Sequence, residues 1–84
     1  MKHFNATAEM FEKMARETRG TRGAAFRCCA VLADRLEGDA LVAGIKAQRD
    51  GLAELIGSPM VSAESAASFR EKVEAFDLAL RTVV

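Results

Sequence analysis

The sequence contains no tryptophan and no tyrosine, and it has only one proline, two cysteines and one histidine. The histidine, His3, lies near the amino terminus, where chains tend to fray, so a serine or cysteine nucleophile would lack a well-ordered general base. The two cysteines are neighbours, and the Glu-x-x-His spacing of di-iron bundles does not occur. We therefore expect no catalytic residues, no metal, no cofactor and no small-molecule substrate. The chain is predicted not to be an enzyme.

Long apolar runs are also missing from the sequence. No stretch approaches the roughly 18 consecutive apolar residues that a helix needs to cross a bilayer. Residues 1–5 lack the apolar segment of a secretory signal. These two observations predict a cytoplasmic protein that does not enter a membrane.

The cysteines, Cys28 and Cys29, agree with that setting, because a disulfide between adjacent residues is strained. We interpret them as reduced, small apolar side chains near a helix contact. The alternative is a thiol switch, in which the nearby Arg27 would lower the pKa of one thiol.

Charge of one sign does not dominate, since twelve basic and twelve acidic residues give a net charge of zero. The two halves nevertheless differ. Residues 1–35 carry seven basic and four acidic side chains, a balance of plus three, and the remainder carries five and eight, a balance of minus three. A zero net charge gives no general attraction to nucleic acid. The opposite charges of the two halves favour their packing against each other, either within one chain or head to tail between two chains.

Alanine and regularly spaced apolar residues are what the sequence does contain. Near the carboxyl end, small or apolar residues recur at steps of four and three, which is the spacing of one face of a long amphipathic helix. We expect this stripe to be buried against other helices. Its members are Ser62, Ala66, Phe69, Val73, Phe76, Leu80 and Val83.

Three earlier segments show the same helical spacing. The first is widened by Met10 and Met14, and the third contains Gly44 and Gly51, which we interpret as lying within one continuous helix rather than at a break. The apolar faces are Phe4, Ala8, Phe11, Ala15 and Thr18; then Ala25, Cys29, Leu32 and Leu36; then Leu41, Ile45, Gln48, Leu52 and Leu55.

Capping residues predict where these helices begin and end. The first helix would begin at Asn5 or Thr7 and end at Gly20, and Thr21 would cap the second, which Glu37-Gly38 would end. Asp39 would cap the third helix, Gly57 would end it in a left-handed conformation, and Ser62 or Ser65 would cap the fourth.

The predicted fold is therefore all-α: a compact up-and-down bundle of about four short helices without a β-sheet, forming a single domain over residues 1–84. Sixteen of the residues are alanine, so the core is thin, and we expect self-association to complete it. The pattern is too generic to assign the chain to a family.

The junction between the first two helices departs most from the rest of the sequence. Between positions 16 and 27 it gathers four arginines and two glycines around the start of a helix, where free backbone N–H groups can hold a phosphate or carboxylate. In the alternative interpretation, the glycine and threonine are simple caps and the arginines face solvent or the acidic half of the chain. The arginines are Arg16, Arg19, Arg22 and Arg27.

These observations predict a small protein–protein interaction module, either a homodimer or a regulatory or inhibitory subunit of a larger assembly. Its interface would combine the first helix with the junction, through Arg16, Arg19, Arg22, Arg27, Met10 and Met14.

The alternative function is nucleic-acid binding through the same basic junction, residues 16–27. A helix-turn-helix at Leu52–Gly57 is less favoured, because the helix that follows begins with no basic residue and one acidic residue, Glu64.

Overall fold

The computed structural model describes residues 6–83, which form four α-helices. They are α1 (Ala6–Glu17), α2 (Thr21–Arg35), α3 (Gly38–Ile56) and α4 (Ala63–Val83). No β-strand occurs among the described residues, so the predicted all-α up-and-down bundle is confirmed. The predictions for His3, Phe4 and Asn5 concern positions outside the described range.

Two helical hairpins make up the bundle. Helix α1 packs on α2 and α3 packs on α4, and the hairpins join mainly through α2 and α4, with a smaller contact between α2 and α3. Because the connections are short, consecutive helices run antiparallel, and α2 and α4 point the same way. Arg22 at the start of α2 contacts Glu74 in α4, and Leu36 after the end of α2 contacts Gly44 in α3. The α1–α2 and α3–α4 connections therefore lie at the same end of the molecule.

Of the predicted caps, Ser62 is confirmed. Its Oγ accepts a hydrogen bond from the backbone N–H of Ser65 at 3.1 Å. Gly57 ends α3, as predicted, but Thr7, Thr21 and Asp39 lie inside helices rather than at caps, and α1 ends at Glu17, three residues before the predicted Gly20. Gly20, with φ of 79°, is the N-cap of α2, so Thr21 is the first helical residue rather than the cap.

The α2–α3 and α3–α4 connections also differ from prediction. Helix α2 ends at Arg35, and Glu37 caps α3, which leaves Asp39 inside the first turn of that helix. Gly57 has φ of −85°, so it ends α3 in a right-handed conformation rather than the left-handed one expected. Thr7, the other predicted cap of the first helix, lies inside α1. Helices α2 and α3 begin without a side-chain cap, because neither Gly20 nor Glu37 makes a side-chain hydrogen bond to the first turn.

The core is built from residues of α1, α2, the first half of α3 and the second half of α4. Phe11, Ile45 and Cys29 are its largest fully buried side chains, and Phe26 and Phe76 are almost as well covered. The remaining buried positions are mostly alanine, which brings helix axes close together but contributes little buried area. The buried alanines are Ala8, Ala15, Ala25, Ala30, Ala33, Ala66, Ala75 and Ala79.

The predicted stripe on α4 is buried only in part. Phe76 and Leu80 lie in the core and Ala66 is buried elsewhere, but Phe69 and Val73 are half-buried, while Ser62 is exposed. The cause is the length of the helices: α2 begins beside the middle of α4, so the first half of α4 packs mainly on α3. In the second half, the neighbouring positions Ala75 and Ala79 are also buried, which rotates the core face away from the predicted line.

Helix α3 is continuous through both of its glycines, as predicted. Gly44 allows α2 to approach, because a Cβ there would lie 3.1 Å from Leu36 Cδ1. A Cβ at Gly51 would meet nothing within 4 Å. Burial falls along this helix as well, from buried Leu41 to exposed Leu55.

The bundle is elongated, with extents of 47 × 26 × 22 Å along its three principal axes. Part of this length comes from the distal end of the α3–α4 hairpin, residues 50–69, which we call the hairpin tip. Arg22 contacts Glu71 and Glu74, and α4 extends from Glu71 back to Ala63. At 1.5 Å per residue, the tip projects by about 12 Å past the start of α2.

Candidate functional site

The α1–α2 junction is a tight turn that depends on two glycines. Gly20 has a positive φ of 79°, which L side chains rarely adopt, and its carbonyl accepts the N–H of Ala24 at 3.1 Å. Gly23 is buried against the end of α1, where a Cβ would collide with the carbonyl oxygen of Thr18 and lie 3.2 Å from that of Ala15. The sequence therefore turns sharply here and brings the last turn of α1 against the first turn of α2.

A cleft of about 460 Å³ opens to solvent on the outer side of this turn. We call it the arginine cleft, since Arg16 from α1, Arg19 from the turn and Arg27 from α2 all line it. The rest of its lining is Glu12, Ala15, Thr18 and Gly20.

The three guanidinium groups of the arginine cleft are not neutralised by any acidic side chain among the described residues. Within residues 6–83, Arg16, Arg19 and Arg27 make no ion pair shorter than 4.0 Å. Glu12 lies four residues before Arg16 on α1, a spacing that suits a surface ion pair, yet no such pair forms. The arrangement can bind a carboxylate or a phosphate, because guanidinium groups donate two parallel hydrogen bonds to either.

Arg22, the fourth predicted member, lies elsewhere. Its Nη2 donates a hydrogen bond of 2.6 Å to Glu74 Oε2, and its Nη1 lies 3.7 Å from Glu71 Oε1. The hydrogen bond to Glu74 raises the pKa of Arg22. This arginine therefore joins α2 to α4, as the alternative interpretation of the junction described, and the structure brings only three of the four arginines together.

The predicted methionines lie beside the cleft rather than in it. Met10 and Met14 are half-buried and pack against the core. Met10 also lines a second depression of about 380 Å³ on the surface of α1, together with Lys13. Glu12 and Arg16 line both depressions, so the two depressions form one continuous surface along α1.

Sequence reasoning missed Glu12 as part of this site. Its spacing from Arg16 was the available signal, since residues four apart share a helix face. Ala15 and Thr18 line the cleft because of the turn, which the helical spacing alone could not reveal.

The cysteines lie on α2 and line neither depression. Cys29 is fully buried, and burial raises the pKa of its thiol to about 12. Cys28 is half-buried, and burial raises its pKa too, although the positive charge of Lys72 acts in the opposite direction. A thiol switch needs a lowered pKa, so the structure supports the interpretation of both residues as small apolar side chains.

Residues 6–83 contain no group of three histidine, cysteine or acidic side chains that could hold a metal ion. None of the helices in that range has both the length and the apolar character needed to cross a membrane. Comparisons of the chain with protein-family models, with curated proteins and with solved structures find no match.

Proposed function

We propose that this protein is a non-catalytic protein-binding module, and that the arginine cleft receives a carboxylate-rich segment of its partner. One observation carries the proposal: three arginines line a single open cleft, and none is paired with an acidic side chain of the described chain. A regulatory or inhibitory action would follow from the binding itself, through complementary surfaces.

Acidic side chains suit the cleft for a chemical reason. Each guanidinium group has five donors in a rigid plane, and a carboxylate can accept two of them side by side. The first turn of α2 adds backbone N–H groups and the positive end of the helix dipole at Gly20. Met10 on the adjoining surface adds an adaptable apolar contact for the residues that flank the carboxylates.

Protein is favoured over nucleic acid by the distribution of charge. A nucleic-acid site usually tracks the phosphate backbone with a basic stripe, and the chain has no net charge. Here Glu9 and Glu12 border the arginines on α1, which breaks the positive surface. Nucleic-acid binding through residues 16–27 remains the second candidate, and the arginine cleft would contact the phosphates.

The test compares two variants with equal loss of charge. In the cleft variant, Arg16, Arg19 and Arg27 become glutamine; in the control variant, the exposed Arg35, Arg70 and Arg81 become glutamine. Binding of a fluorescent polyglutamate peptide is measured by anisotropy, and helix content is checked by circular dichroism. We expect the control to bind as the wild type does. The cleft variant should lose about tenfold in affinity for each arginine that contacts the peptide, since a charged hydrogen bond contributes about 1.5–3 kcal/mol.

Equal affinities of the two variants for polyglutamate would contradict the proposal. A short DNA or RNA duplex is titrated in parallel at several salt concentrations. Tighter binding of the duplex than of the peptide, with an affinity that falls steeply as salt rises, would favour the nucleic-acid alternative.

A further inference from the structure

The hairpin tip carries apolar side chains that the bundle does not cover. Met60 is 91% exposed and Leu55 is 44% exposed. Phe69 and Ile56 are half-buried, and neither packs against the core within the described chain. Ala66 is the tip's one buried side chain among the described residues, and it too lies outside the core cluster. Exposed apolar side chains grouped in this way are typical of a contact surface.

The tip is also acidic. Between Asp50 and Phe69 the sequence has no lysine or arginine. Asp50 is paired with Arg49 at 3.0 Å, but Glu54 and Glu64 make no ion pair with any described residue. The tip therefore combines apolar side chains with two unpaired carboxylates.

This is the chemistry that the arginine cleft is proposed to bind, and the two surfaces lie at the same end of the molecule. We propose that the occupant of the arginine cleft is the hairpin tip of a second copy of this chain. The inference rests on the proposed function of the cleft and names its partner. Two tips packed on each other would instead bring four unpaired carboxylates together, and like charges at an interface are strongly unfavourable.

The position of the two surfaces sets the symmetry of the assembly. A twofold axis at that end can place each tip in the cleft of the other copy, which closes the assembly as a dimer. Glu54 and Glu64 would then face Arg16 and Arg19. Met60 would lie along the apolar stems of the arginines, since long basic side chains cover apolar groups while their charged ends bind elsewhere.

A charge swap tests this arrangement. The tip variant carries Glu54→Arg and Glu64→Arg. A second variant, the reversed-cleft variant, carries Arg16→Glu and Arg19→Glu. All four positions are exposed. Mass is measured by light scattering over a range of concentrations. The wild type should reach twice the chain mass of 9.1 kDa, and added salt should favour the monomer. Each variant alone should dissociate on the order of a hundredfold more readily, because every contact then joins like charges.

An equimolar mixture of the two variants should restore the dimer. One of its two contacts would be reversed in sign on both sides, and the other would be unchanged. A control with Asp39→Arg and Arg81→Glu, which reverses exposed charges away from both surfaces, should keep the wild-type mass. Circular dichroism establishes that each variant is folded.

Two results would overturn the inference. The first is a wild type that stays monomeric at every concentration and salt; polyglutamate binding to the cleft would then still stand or fall on its own measurement. The second is a dimer that salt strengthens, or one that the tip variant and the variant with Arg16→Glu and Arg19→Glu each still form on their own. Either result would place the contact on another surface.

Discussion

Gly23→Ala is the sharpest test of the α1–α2 junction. The new Cβ would collide with the carbonyl oxygen of Thr18 and lie 3.2 Å from that of Ala15, whereas C–H···O contacts normally lie at about 3.3–3.6 Å. Both neighbours are backbone atoms, which cannot rotate away as a side chain can. The last turn of α1 must therefore move, and overpacking of this kind costs about 1–3 kcal/mol.

Gly51→Ala is the matched control for Gly23→Ala. Both changes replace a helical glycine, so both gain up to about 1 kcal/mol from helix propensity and from a less flexible unfolded chain. A Cβ at Gly51 meets nothing within 4 Å, so the control should keep the whole gain. We expect Gly23→Ala to lower the free energy of unfolding by about 2 kcal/mol and Gly51→Ala to raise it by about 0.5–1 kcal/mol.

Urea unfolding followed by the helical circular-dichroism signal measures both changes. A domain of 84 residues has a stability of about 4–12 kcal/mol, so a difference of about 3 kcal/mol between the two variants is easily resolved. Variants that unfold at the same urea concentration would refute the close approach of α1 to Gly23.

The remaining predictions concern the thiols and a helix cap. At pH 8, a thiol reagent should modify Cys28 before Cys29, and both more slowly than in urea, because burial raises both pKa values. Burial raises the pKa of the Cys29 thiol from 9.0 to about 12. The unfolded state therefore loses this proton at a lower pH than the folded state, so the free energy of unfolding should fall as pH rises between these two values. A Cys29→Ala variant should show a smaller fall, because only the raised pKa of Cys28 would still contribute, and an identical pH profile would contradict the assignment. Ser62→Ala should cost about 1 kcal/mol in urea unfolding, because it removes the cap of α4, and Ser65→Ala should cost clearly less.

Much of the fold follows from local spacing. Steps of three and four along the sequence were enough to predict four helices, and the glycines and the proline were enough to separate them. The rotation of each helix was harder to predict, since alanine occurs on every face and does not mark the buried one. Ala75 and Ala79 are buried while Val73 is only half-buried, because α2 covers one side of α4 and begins beside its middle. That coverage depends on how far each helix extends, which no local pattern contains.

The candidate site was predictable in its chemistry but not in its membership. A cluster of arginines around a glycine turn indicated an anion-binding surface. Arg22 and Arg27 are five residues apart on α2, which places them about 140° apart around the helix axis. They could not both face one cleft. The packing of α4 beside the start of α2 determines that Arg22 pairs with Glu74 while Arg27 lines the cleft. The hairpin tip was beyond prediction for a similar reason, since its exposure follows from the shortness of α1 and α2.

The alanine-rich interior has a consequence for how this chain can change. Of the fifteen buried apolar side chains among the described residues, eight are alanine, and alanine has no side-chain torsion that folding must immobilise. The interior is thus ordered at little entropic cost, but it contains few parts that can readjust. When a neighbour such as Cys29 or Ala79 grows by a methyl group, the misfit passes directly to the spacing between backbones. Inherited variation should consequently accumulate on the outward faces, while the volume of the interior stays nearly constant.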